Sequence, residues 1–129
     1  MAHQQINPWQ WSIAFGFSQA IKVENPREVL VCAGQTAVDA DGTPVGGDMV
    51  SQIRLALENL ETVLSAAGFS LSDVVRLNFY TTDVDEFFAA SETAFERMPE
   101  GALPAGTLLG VARLAYPELK IEIEATAVK

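Results

Sequence analysis

The sequence is short of the residues on which several large classes of function depend. It has 8 basic residues against 17 acidic ones, which gives a formal net charge of −9. Proteins that bind DNA or RNA need clustered lysine and arginine to displace counterions from phosphates, and no such cluster is present. An acidic protein is also repelled by anionic membranes. The composition therefore predicts no nucleic acid and no membrane as partner.

Cysteine and histidine occur once each, which excludes other kinds of site. One cysteine cannot form an internal disulfide, and one histidine with one cysteine supplies neither a transition-metal cluster nor a nucleophile set. Cys32 lies in the apolar stretch VLVCAGQ, which favours a small buried thiol, and His3 lies in a terminal segment where we expect no role. No GxGxxG or P-loop sequence occurs. We therefore predict no metal and no cofactor.

Long hydrophobic runs are also missing. No apolar stretch approaches the roughly 20 residues that cross a bilayer, and the start MAHQQINPWQW lacks the pattern of a secretion signal. A length of 129 residues with 49 % hydrophobic residues suits one globular domain over 1–129, with an irregular segment over 1–14. We expect a cytoplasmic protein.

Hydrophobic periodicity predicts an α+β domain with the order β-β-α-β-α-β-β. The clearest element is a helix from Asp48 to Gly68, with Asp48 as N-cap and apolar residues at spacings of three and four. A second helix begins near Asp83 and ends before Pro99. The strands are predicted as a hairpin within 17–33, then 73–81, 107–114 and 120–128.

Helices of this length between strands favour a mixed sheet with both helices on one face. The other sheet face would then be uncovered. Because valine, leucine and isoleucine occupy both faces of several strands, we expect that face to pack against another copy of the chain. The pattern alone leaves the number of copies open.

Two carboxylates on the last strand are candidates for acid–base chemistry. In KIEIEA, Glu122 and Glu124 share one face at a separation of about 7 Å, and the alternative is a solvated strand face. An aromatic N-terminal segment could line a cleft or pack in a core or interface; it contains Trp9, Trp11, Phe15 and Phe17. Arg113 could form a structural ion pair or clamp a substrate.

Three stretches of the chain resemble the RidA family, also called YjgF or the L-PSP "endoribonuclease" family. They are CAGQTAVDADG, LSAAGFSLSDVVRLNFYTTDVDEF and LPAGTLLGVARLAYPELKIEIEATAV. The resemblance implies a chorismate-mutase-like α+β fold and a homotrimer with three small-molecule clefts between subunits. It also implies hydrolysis of reactive enamines and imines to ketoacids and ammonia.

The resemblance also places candidate ligand-binding residues, and it breaks at the arginine that holds the substrate carboxylate in active members. The stretch resembling P-A-R-S-C reads Pro-Ala-Gly-Thr-Leu here, so Gly106 takes the arginine position and Leu108 that of the cysteine. Phe17 replaces a tyrosine and Ser91 stands near an asparagine, whereas Glu122 is retained. The full set of ligand-binding candidates is Phe17, Cys32, Ser91, Gly106, Thr107 and Leu108, with Glu122 as the catalytic candidate.

Four hypotheses follow for the remodelled, more apolar and roomier site. The first is a cleft for a less anionic metabolite, with Thr107 and the backbone amides near Gly106 as donors in place of the arginine. The second is imine or enamine hydrolysis by Glu122 and water with a different clamp. The third is a non-catalytic binder or trimeric interaction protein. The fourth, RNA cleavage, conflicts with the acidic charge.

Overall fold

The computed structural model describes residues 3–129, and that part of the chain contains six strands and four α-helices. In chain order they are β1 (His3–Ile6), α1 (Trp11–Ala14), β2 (Ala20–Val23), β3 (Val29–Val31), α2 (Met49–Ala66), β4 (Val74–Thr81), α3 (Val84–Ala89), α4 (Ser91–Phe95), β5 (Leu108–Gly110) and β6 (Ile121–Val128).

A four-stranded mixed sheet forms the centre of the fold, in the order β3-β6-β4-β5. Within this sheet β4 and β5 pair in parallel, and the other neighbours are antiparallel. Side chains of β6 alternate as predicted. Ile121, Ile123 and Ala125 are buried on the helix face, and Glu122 and Glu124 lie half-buried on the opposite face, which we call the open face.

Helix α2 covers the sheet because its apolar stripe matches the helical period. Asp48 caps the helix by accepting a hydrogen bond from the Ser51 backbone N–H at 2.9 Å. Leu57, Leu60 and Leu64 are almost completely buried in one core that also contains residues of β4, β6, α3 and α4. The predicted α+β class, mixed sheet and one-sided helices are therefore confirmed.

The N-terminal third differs from the prediction. The segment 1–14 was expected to be irregular, but within its described part His3–Ile6 is a strand and Trp11–Ala14 is a short helix; residues 1–2 lie outside the described residues. The hairpin within 17–33 is also wrong, because β2 pairs with β1 in a separate two-stranded sheet and β3 pairs with β6. Short strands with similar patterns take whichever partner the tertiary fold brings beside them.

Two later elements are shorter than predicted. The second helix is divided at Ala90, where φ is −109° and ψ is 7°, outside the helical range. The predicted strand 107–114 ends at Gly110, which is paired with Thr81 at the end of β4, so no partner strand extends beyond it. Arg113 therefore lies in a loop. Its guanidinium donates to the Ala115 carbonyl oxygen at 3.4 Å and forms no ion pair with any described residue.

Candidate functional site

A cavity of about 730 Å³ opens between the sheet, the two short helices and the N-terminal segment. Its walls are mostly apolar, and aromatic rings come from β4, α3, α4 and the N-terminal segment. The aromatic lining residues are Trp11, Phe15, Phe17, Phe79, Phe87, Phe88 and Phe95. Cavities of this size with aromatic walls and a few polar groups are typical of small-molecule sites.

The rings are packed against one another, which fixes the shape of the cavity. Trp11 and Phe17 meet edge to face at 5.7 Å between centroids, and Phe79 lies 5.3 Å from Phe87. Gly16 has a φ of +83° and would bring a side chain against the Phe95 ring, so glycine allows the N-terminal segment to approach α4 closely. Trp9, the fourth aromatic residue of the predicted segment, is 60 % exposed and does not line the cavity.

Five of the seven predicted site residues line this cavity: Phe17, Ser91, Gly106, Thr107 and Leu108. Cys32 does not. Its side chain is buried in the hydrophobic core, and burial raises the pKa of its thiol, as expected of an unreactive cysteine. Glu122 does not line the cavity either, because the alternation of β6 turns its side chain to the open face.

Glu122 lies directly over Gly34 on the open face. A Cβ atom at position 34 would overlap the Glu122 carboxylate, so only glycine leaves this place free. No described residue forms a hydrogen bond with the carboxylate. Desolvation raises the pKa of Glu122, and the charge of Glu124 raises it further. A carboxyl group of this kind can hold or release a proton closer to neutral pH than an ordinary glutamate.

Glu124 has a different environment although it shares the same face. Its Oε1 accepts hydrogen bonds from the Tyr80 hydroxyl at 3.0 Å and from Asn78 Nδ2 at 3.2 Å. The hydrogen bond to Glu124 is the main cause that raises the pKa of Tyr80. The open face therefore holds one hydrogen-bonded carboxylate and one that no described residue hydrogen-bonds, which the sequence pattern could not distinguish.

This arrangement predicts coupling between the two carboxylates. Replacing Glu124 by glutamine should lower the Glu122 pKa toward its ordinary value, because the neighbouring negative charge is lost while an amide oxygen can still accept a hydrogen bond. Carboxyl carbon chemical shifts, followed by NMR against pH, would measure the shift. Glu118→Gln, at an exposed loop position, is the matched control and should leave the Glu122 pKa unchanged. An unchanged Glu122 pKa in Glu124→Gln would contradict this coupling.

Position 106, where the resemblance expects an arginine, cannot carry a side chain in this backbone conformation. A Cβ atom on Gly106 would lie 2.1 Å from the Leu77 carbonyl oxygen. Hydrogen bonds hold the backbone before and after Gly106. Leu77 N–H donates to the Ala105 carbonyl oxygen and Phe79 N–H donates to the Thr107 carbonyl oxygen, each at 2.8 Å. The prediction of a roomier site is therefore wrong at Gly106, because the Leu77 carbonyl oxygen occupies the space into which a side chain would point.

The amides beside Gly106 are also less free than expected. Ala105 N–H donates to the Val75 carbonyl oxygen at 3.0 Å, and Thr107 N–H donates to Asn78 Oδ1 at 3.1 Å. The Thr107 hydroxyl accepts a hydrogen bond from Arg76 Nη2 at 3.2 Å. It can still donate its own proton to a ligand. Thr107 is thus the lining residue that connects the cavity to the polar groups of the open face.

Sequence reasoning missed the roles of Gly34, Arg76, Asn78 and Tyr80. Alternation of side chains along β4 puts the last three on one face, which was the available signal. Their contacts with Glu124 and Thr107 depend on the pairing of β4 with β6 and β5, which the pattern of a single strand does not contain.

Among the described residues, no group of three or more histidine, cysteine, aspartate or glutamate side chains is placed to hold a metal. No helix in the described chain has the length and apolar character needed to span a membrane.

The fold and site define a small α+β protein with an aromatic cavity on the helix face of its sheet and two carboxylates on the open face. The family model described as Endoribonuclease L-PSP matches residues 11–129, and the chain belongs to this family. A Rid-family crystal structure, YyfB of Yersinia pestis, is similar over the full length of both chains, with a TM-score of 0.86 and 40 % identity. The resemblance to the RidA family and its fold is confirmed.

Two curated relatives carry names that bear on function and location. Protein mmf2, mitochondrial, of Schizosaccharomyces pombe is 36 % identical over 129 residues, covering 98 % of both chains. The 2-iminobutanoate/2-iminopropanoate deaminase of Salmonella typhimurium is 34 % identical over 103 residues, covering 78 % of this chain and 80 % of its own. These names describe the relatives, and the cytoplasmic location of this chain stays a prediction.

Proposed function

We propose that the protein is a homotrimer with small-molecule clefts between subunits. Each cleft binds or acts on a small metabolite that contains an imine, an enamine or a related carbonyl group, with Glu122 as the acid–base group. The observation that carries the proposal is the Glu122 carboxyl group, which is partly desolvated, receives no hydrogen bond from any described residue, and is raised in pKa. The deaminase name of the Salmonella relative supports the C=N chemistry.

In the proposed reaction, Glu122 acts first as a general acid and then as a general base. The protonated carboxyl group donates to the imine nitrogen, and the resulting carboxylate then takes a proton from the water that attacks the carbon. Glu122, protonated again by that step, then gives its proton to the amino nitrogen of the adduct and takes the hydroxyl proton as the carbon–nitrogen bond breaks, which releases the carbonyl compound and ammonia. The proposed cleft between subunits keeps the reacting carbon oriented and away from bulk water.

The cleft is not suited to a standard 2-iminobutanoate substrate, because Gly106 offers no side chain to its carboxylate. We expect hydrolysis of small imino acids, generated in place from amino acids, to be at least about tenfold slower than by the Salmonella deaminase. Release of ammonia and ketoacid, measured for both proteins side by side, would test this. Equal turnover would show that another residue binds that carboxylate just as well.

A non-catalytic binding or interaction protein is the alternative, and one observation favours it. The large aromatic cavity and Glu122 lie on opposite faces of the sheet within one chain, so the cavity can bind an apolar ligand without the carboxylate. Recovery of a bound ligand chemically unchanged after long incubation would support this alternative. Binding of RNA is not part of the proposal, since a net charge of −9 opposes it.

The trimer is a prediction with its own measurement. Several large apolar side chains are exposed in the single chain, among them Val31 at 78 % and Val29 at 58 % on the edge strand β3 and Leu109 at 50 % on the edge strand β5, and exposed apolar surface favours an interface. Light scattering at micromolar concentration should give about three times the 13.9 kDa chain mass. A stable monomer at that concentration would contradict both the trimer and the intersubunit cleft.

A further inference from the structure

The open face contains an arginine beside the position where the family arginine is absent. We propose that Arg76 binds a carboxylate of the ligand, and that the anion is therefore held from β4 and not from residue 106. This inference rests on the proposed small-molecule cleft at the same face. It assigns a specificity-determining residue and a class of ligand: an elongated carbonyl or imine compound with a carboxylate at its far end.

The position of Arg76 is fixed by contacts to the segment that includes Gly106. Arg76 Nη2 lies 3.2 Å from Thr107 Oγ1, and Thr107 is held in turn by Asn78 Oδ1 through its backbone N–H at 3.1 Å. The guanidinium thus reaches the residue that follows Gly106. A carboxylate at this place would meet the Arg76 N–H groups together with the Thr107 hydroxyl as donors.

The charge of Arg76 is available for a ligand. Four of the other cationic side chains are in ion pairs with glutamates: Lys22, Arg54, Arg97 and Lys120. Arg76 has no carboxylate within 4.0 Å among the described residues, although Glu124 lies on the same face and accepts hydrogen bonds from Tyr80 and Asn78. Within the described part of the chain, most of the guanidinium donors remain without a partner, in a protein whose charge is otherwise strongly negative.

The separation of Arg76 from Glu122 sets the shape of the ligand. Glu122 is paired with Tyr80, which is four positions along β4 from Arg76, so the two backbone positions are about 13 Å apart. Arg76 reaches Thr107 on the β5 side of β4, whereas Glu122 lies over Gly34 on the β3 side of β6, so the side chains do not bring the two groups together. A carboxylate directly attached to the reacting carbon cannot reach both groups. A ligand whose carboxylate is separated from its C=O or C=N group by an alkyl chain can do so.

The test uses binding of 7-oxooctanoate, a ketone separated from its carboxylate by five methylene groups, and of its neutral amide 7-oxooctanamide, measured by calorimetry on the purified wild-type protein and two variants. Wild type should bind 7-oxooctanoate about tenfold more tightly than 7-oxooctanamide. Arg76→Gln should abolish this preference while light scattering shows the wild-type assembly. Arg113→Gln removes another exposed arginine and is the matched control, which should retain the preference.

Each other outcome overturns the proposal, and the outcomes separate it from the proposed function. If Arg76→Gln still prefers 7-oxooctanoate, another group binds the carboxylate. If wild type binds 7-oxooctanamide as tightly as 7-oxooctanoate, the cleft is present but does not select an anion through Arg76. If Arg76→Gln loses the trimer as well as binding, Arg76 serves the subunit interface. If wild type binds neither compound at millimolar concentration, both the Arg76 proposal and the small-molecule cleft fail.

Discussion

Replacing Gly106 by alanine is expected to lower the free energy of unfolding by about 3 kcal/mol, from strain and from lost sheet hydrogen bonds. The added methyl group would meet the Leu77 carbonyl oxygen, and the backbone cannot move away without breaking the hydrogen bonds that join Ala105 and Thr107 to β4. Urea unfolding followed by far-UV circular dichroism would measure the loss. Gly106→Arg should be at least as damaging, and it should not restore a deaminase site.

A second glycine provides the control for this experiment. A Cβ atom added to Gly46 would meet no described heavy atom within 4 Å, and Gly46 has no positive φ, so Gly46→Ala should change stability by less than about 1 kcal/mol. Wild-type stability of Gly106→Ala would mean that the segment has another accessible conformation. The steric argument against an arginine at this position would then be withdrawn.

Glu122→Gln is expected to reduce turnover at least about 100-fold once a substrate is in hand, because a general acid–base group contributes two to four orders of magnitude. This substitution should not destabilise the fold. The native pKa of Glu122 is raised above the ordinary value of 4.5, so the native state retains a proton at pH values where the unfolded chain has lost it. Wild-type stability therefore falls as pH rises through this window, and the glutamine variant should be as stable as wild type, or more stable, at neutral pH.

Two measurements check this second prediction. Steady-state kinetics should show the loss for Glu122→Gln and none for Glu118→Gln, while thermal unfolding at several pH values should show any stability gain of Glu122→Gln disappearing below pH 4.5. Unchanged turnover in Glu122→Gln would remove the acid–base role. A marked loss of stability at neutral pH would show that the carboxylate is held by favourable contacts and is not desolvated.

The candidate site was partly predictable because its residues follow strand alternation. Glu122 was placed on one face with Glu124, opposite Ile121 and Ile123, from the pattern of KIEIEA alone, and the structure has the same alternation. The distinction between Glu122 and Glu124 was not predictable, since both occupy equivalent positions in the pattern. It arises because Tyr80 and Asn78 on β4 reach Glu124, whereas Glu122 lies against Gly34.

The sequence by itself determined the α+β class, the α2 helix with its Asp48 cap, the inward-facing residues of β6 and the family, because each depends on residues close in the chain or on a linear motif. Only the tertiary structure decided that β1 pairs with β2, that the helix after β4 breaks at Ala90, and that β5 ends at Gly110. It also decided that Gly106 faces a carbonyl oxygen and that Arg76 reaches Thr107. These features depend on contacts between distant segments, and their free energy belongs to the assembled sheet and not to any one stretch of sequence.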